Sequence, residues 1–174
     1  MDTKHFALLI VVFPAVVLAQ THDVTHGSTP SDDAGEETRL IKSLSEQDLE
    51  EIQRGGGWGL ARAAELNGVP GPTHLLELAE PIGLTEDQRD GIEAIQVQMQ
   101  ADAIAAGERF IAAEQALDAA FQRGAPDAET LERLVIEAGE ARADLRLVHL
   151  NAHLLTLPLL TDAQVSQYSV LRGY

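Results

Sequence analysis

Residues 131–155 read LERLVIEAGEARADLRLVHLNAHLL. Through this stretch and just past it, apolar residues fall at Leu131, Leu134, Ala138, Ala141, Leu145, Val148, Ala152, Leu155 and Leu159, in alternating steps of three and four. That spacing lays one stripe along a helix and approaches a heptad seam. The region upstream carries the same signature. Thr85-Glu-Asp-Gln88 is a capping box, and Ile92, Ile95, Met99, Ala103, Ala106, Phe110, Ala113, Leu117 and Phe121 repeat behind it until Gly124 and Pro126 stop the helix. At its usual rise per residue this is a rod of about 55 Å. A second rod starts near Asp127. The turn between them is short, so the expected fold is all-α: a long antiparallel helical hairpin.

Shorter helices flank the hairpin and give a hooked, four-helix arrangement. Thr161-Asp-Ala-Gln164 caps a last helix ending near Gly173. Thr73 is placed to cap a short helix that Pro81 closes. One hairpin leaves apolar surface uncovered, so a homodimer is expected.

Residues 1–19 read as a secretory signal peptide. Lys4 and His5 precede an apolar run from Phe6 to Leu18, and Val17-Leu18-Ala19 places small residues at the cleavage positions. The run is short of the roughly 20 residues a membrane span needs, so no stable span is expected after cleavage and the mature protein is expected in the periplasm. An uncleaved anchor is the alternative. Residues 20–59 read as a disordered acidic linker, with Asp32, Asp33, Glu36 and Glu37 clustered, a short helix starting at Ser45 and a hinge at Gly55-Gly-Gly-Trp-Gly59. That glycine run lacks the Lys-Ser/Thr ending of a phosphate loop. Asn67-Gly-Val-Pro-Gly-Pro72 is a further turn, and residues 60–174 form the helical domain.

The chain has no cysteine and a net charge of −16. Nucleic acid is excluded as a partner, because no basic patch can neutralise phosphates, while cations are attracted. No Gly-x-Ser-x-Gly or His-Glu-x-x-His pattern occurs, and the carboxylates lie on expected solvated faces, so no enzyme is read here.

His149 and His153 stand four residues apart, on one face of the second rod and beside its seam, where solvent is expected to reach them. Such a pair can share a transition-metal ion. A third donor must come from another element. His74 is the remaining histidine of the helical region, with Glu77 one turn later and Glu93 on the first rod. Two or three imidazoles plus a carboxylate suit Zn²⁺, Ni²⁺ or Co²⁺, whereas the scarcity of sulfur disfavours Cu(I). Cleavage after Ala19 would also create Gln20-Thr21-His22, whose amine, amides and imidazole can wrap Cu²⁺ or Ni²⁺. The plainer reading is a tail in which His22 and His26 are incidental.

Two copies of Leu-Thr-x-x-Gln, at Leu84, Thr85 and Gln88 and at Leu160, Thr161 and Gln164, bracket the hairpin. The arrangement resembles the LTxxQ family of periplasmic proteins: Spy/CpxP-like stress chaperones, zinc resistance-associated proteins and periplasmic heavy-metal sensors. The likeness covers about residues 73–174. Upstream, the stretch from Gly57 to His74 is similar to the opening of a bacterial subgroup of heavy-metal sensor or Spy/CpxP-like proteins. In the sensor branch, ligands come from the first helix, an acidic residue on the second and an i, i+4 pair before the second motif. The resemblance thus implies His74, Glu93, His149 and His153 as the metal site, with Glu77 the alternative carboxylate. Only one histidine stands on the first helix where the family can have two. The implied function is a heavy-metal sensor or buffer in an envelope stress or metal-resistance response; a further reading is a structural or interaction module whose partner is an envelope-stress regulator. The chaperone branch, which binds unfolded clients on a largely basic dimer surface, is the alternative; this chain is acidic.

Overall fold

The computed structural model describes residues 35–174. The expected signal peptide, the linker before residue 35, and His22 and His26 lie outside the described residues. The described chain is all-helical, without a strand. Its helices are α1 (Glu46–Gln53), α2 (Arg62–Glu65), α3 (Pro72–Glu77), α4 (Ala79–Ile82), α5 (Glu86–Gln122), α6 (Ala128–Thr156) and α7 (Asp162–Arg172). Among the described residues, no helix is long and apolar enough to cross a membrane.

Local chemistry sets the helix starts. Capping boxes open α1 at Ser45/Asp48, α5 at Thr85/Gln88 and α7 at Thr161/Gln164, each satisfying two orphan N–H groups. The Asp127 carboxylate accepts the Thr130 N–H at 2.8 Å to open α6. One start differs from expectation. Helix α3 begins at Pro72 with Gly71 as its cap, and Thr73 lies inside it. Pro fits the first turn because its missing N–H would have no partner there. Pro81 likewise falls in the first turn of α4, so it does not close the helix; Gly83, at φ 73°, does.

The long helices α5 and α6 pack together, and the start of α5 lies beside the end of α6. The two Leu-Thr-x-x-Gln copies meet there. The Gln88 and Gln164 amides exchange hydrogen bonds at 2.9 Å. Gln88 also donates to the Leu159 carbonyl at 2.7 Å, and Gln164 to the Gly83 carbonyl at 3.3 Å. Each glutamine thus caps its own helix and binds the backbone just before the other motif.

Two apolar clusters form the core. The first joins Ile41, Leu44, Ile52 and Leu60 to Ala103, Ala106, Phe110, Ile111 and Leu145. The second joins Leu75, Ile82, Ile92 and Tyr168, and includes Leu84, Leu159 and Leu160 at its edge. The expected seam holds along most of both long helices and fails at Phe121 and Leu155, which are exposed. Thr156, fully buried, takes the inward position beside Leu155 and returns its hydroxyl to the Ala152 carbonyl.

The linker reading of 20–59 is corrected over its second half. Ile41, Leu44 and Ile52 are core residues, and α1 lies on α5. Gly107 makes this close approach possible: a Cβ there would stand 2.6 Å from Ile52 Cγ2. The acidic, glycine-rich composition hid a few well-spaced apolar residues.

Candidate metal centre

Along α5 and α6 the two core clusters leave a gap. Ile92 belongs to one and Ala103 to the other, with Gln96, Met99 and Gln100 between; on α6, His149 and His153 lie between Leu145 and Leu159. The gap is a cleft of about 470 Å³, walled on its other sides by the Gly55–Gly59 loop, Glu51, Glu65, Gly71 and His74.

The structure therefore brings His74, His149 and His153 to one cleft. It does not bring Glu93, which is exposed on α5, nor Glu77, which is exposed on α3. The α5 positions lining the cleft are 96, 99 and 100; Glu93 stands about one turn before them, toward the start of α5, and does not line it. The carboxylates lining the cleft are Glu51 and Glu65.

His149 and His153 are not at a solvent-washed flank: they are 3% and 7% exposed. The segment expected as a simple turn covers His153. His153 Nδ1 lies 2.7 Å from the Val69 carbonyl, which can only accept, so Nδ1 carries the proton and Nε2 keeps its lone pair in the neutral ring. Gly71 rests on the same ring. A Cβ at Gly71 would collide with Nε2 and Cε1 and come less close to Cδ2, which places it over the ring face and leaves the in-plane lone pair uncovered. His74 Nδ1 lies 2.8 Å from Glu65 Oε1, an arrangement that likewise makes Nε2 the free nitrogen. His149 Nε2 is sealed from solvent with no hydrogen-bond partner. Burial, reinforced by His153, pushes the His149 imidazole below its ordinary value, with Glu51 acting the other way.

Glu65 ties the cleft to the C-terminal helix. Its Oε1 accepts from Arg172 Nη2 at 2.7 Å and from the Tyr168 hydroxyl at 3.2 Å. Burial raises its affinity for a proton, but His74 and Arg172 outweigh burial and hold the carboxyl below its usual value.

The loop expected as a hinge is an anchored wall. Trp58 donates its indole N–H to Asp48 at 2.8 Å and its backbone N–H to Glu51 at 2.8 Å. Its ring packs on Phe110 at 5.6 Å and lies under the Arg142 guanidinium at 5.2 Å. These contacts hold Trp58 at φ 42°, a left-handed conformation unfavourable to a bulky residue. Gly55 permits the wall's approach, since a Cβ there would stand 2.8 Å from the Gln100 carbonyl oxygen.

The donor types fit a transition metal: imidazole Nε2 atoms, two of them oriented by acceptors behind them. As the side chains stand, no three His, Asp or Glu groups among the described residues are placed to share an ion. Binding through three such groups therefore needs side-chain movement, with His74 the freest to move because it is a third exposed. Glu51, Glu65 and Trp58 were missed as cleft residues. Glu65 and Trp58 do lie in the stretch from Gly57 to His74 that was singled out, but no spacing relates them to the histidine pair. No family model, curated protein or solved structure matches this chain.

Proposed function

We propose that this chain is an exported, LTxxQ-type metal-binding protein that senses or buffers Zn²⁺, Ni²⁺ or Co²⁺, and not an enzyme. The observation that carries the reading is the convergence of His74, His149 and His153 on one cleft, with His149 Nε2 sealed and unpartnered. An unpartnered buried nitrogen costs about 1–3 kcal/mol, and a bound ion would recover it. His149 and His153 hold the ion, and His74 joins by leaving Glu65. Because Glu65 also holds Arg172 and Tyr168, loading shifts the balance between two arrangements of α3 and α7. Within this reading α5 and α6 form an antiparallel hairpin, two copies pair through the apolar surface left outside, and the protein answers to an envelope-stress regulator. Calorimetric titration of the metal-free protein with each ion tests it. Binding that weakens by about tenfold or more in both His149→Ala/His153→Ala and the better-tolerated His74→Gln supports the site. Unchanged affinity in both rejects it.

A second reading, a chaperone for unfolded clients, is favoured by one observation. Val135, Ile136, Leu147, Leu154 and Leu155 are all at least half exposed on α6. Suppression of client aggregation by metal-free protein, insensitive to the histidine changes, would select it.

A further inference from the structure

Met99 is the one methionine besides Met1, and its position satisfies the apolar stripe of α5. Any aliphatic residue would serve that stripe. Yet the wall it belongs to is polar: Gln96 and Gln100 flank it on α5, and His149 and His153 line the facing helix. The register between the helices places it further. Gln88 is bonded to Leu159 and Gln164. About three helical turns inward along α5 lies Met99; the same distance back along α6 from that contact reaches the turn holding His149 and His153. Met99 therefore stands at about the level of the turn that holds the two histidines, and all three residues line the same cleft.

We infer that the cleft also binds Cu(I), held by the imidazoles of His149 and His153 and the thioether of Met99. The inference rests on the histidine pair of the proposed metal site and extends it to a softer ion. A divalent borderline ion seeks a further nitrogen or oxygen donor, which His74 can supply only by leaving Glu65. Cu(I) is content with few ligands and prefers neutral, polarizable ones. A thioether carries no charge and does not compete for protons, so it adds affinity for Cu(I) and little for Zn²⁺ or Ni²⁺. The absence of Glu93 from the cleft is no loss to such an ion. The scarcity of sulfur in the chain argued against copper; the placement of this single sulfur argues for it.

The test is an anaerobic competition titration of Cu(I) against a chromogenic chelator, run beside Zn²⁺ calorimetry on the full chain. Met99→Leu conserves volume and is expected to fold. It should weaken Cu(I) binding by about tenfold or more while leaving Zn²⁺ binding unchanged, and copper-edge X-ray absorption should show a sulfur neighbour that this change removes. Unchanged Cu(I) affinity in Met99→Leu, or no sulfur neighbour in the unmodified chain, overturns the inference. The arms also separate the two readings. Zn²⁺ binding lost in His149→Ala/His153→Ala, with Cu(I) indifferent to Met99→Leu, removes copper alone. Neither ion responding to the histidine changes removes the metal site altogether.

Discussion

At the scale of single residues, the cleft depends on two unusual placements. The first is a neutral imidazole in the interior. Because burial depresses the His149 value in the folded chain, the unfolded chain binds a proton near pH 6.5 that the folded chain refuses. The metal-free protein should therefore keep its full stability above that value and lose it as the pH falls below, by up to about 1.4 kcal/mol per pH unit. Urea titrations on either side of that value measure the slope, and His149→Leu should flatten it. The second placement is Gly71, whose backbone is ordinary at φ −96°. Glycine is required there for room and not for conformation. Gly71→Ala should push His153 off the Val69 carbonyl and cost about 1–3 kcal/mol, read as a lowered urea midpoint. The histidine pair was legible as a spacing. Its burial was not, because the cover comes from residues some 80 positions upstream, whose contact with it leaves no periodic trace.

Among the elements, α1 and the long helices show where pattern-reading succeeds. The capping boxes at Thr85 and Thr161 and the stop at Gly124 define α5, α6 and α7 nearly to the residue, because caps and hydrophobic period are local signals. The hand-clasp of Gln88 and Gln164 is not local, and nothing in either motif alone announces it. Helix α1 was read as part of a linker since only Ile52 among its residues is fully buried. Its seat is a glycine on another helix. Gly107→Ala would by propensity favour α5 by about 1 kcal/mol. The added Cβ meets Ile52 Cγ2 and its carbonyl oxygen, however, and backbone cannot yield as a side-chain tip can. Overpacking of about 1–3 kcal/mol should win, so the variant should melt at a lower temperature than the parent, as circular dichroism would record.

For the molecule as a whole, two core clusters are joined by α5, which contributes to both, with the polar cleft between them. Tyr168 locks the second cluster: it is fully buried, and its hydroxyl reaches Glu65 at the cleft's edge. Tyr168→Ala should cost about 3–5 kcal/mol, a large share of the 5–15 kcal/mol typical of a domain, and denaturant unfolding should show it. The same design gives the cleft a reporter of its own. Trp58 is the chain's single tryptophan and one of the residues that line the cleft holding the three histidines. Light absorbed by that indole is emitted from this one place. Its colour and brightness therefore register what enters the cleft, so that occupancy can be followed in real time, on the unlabelled protein, from the glow of one residue.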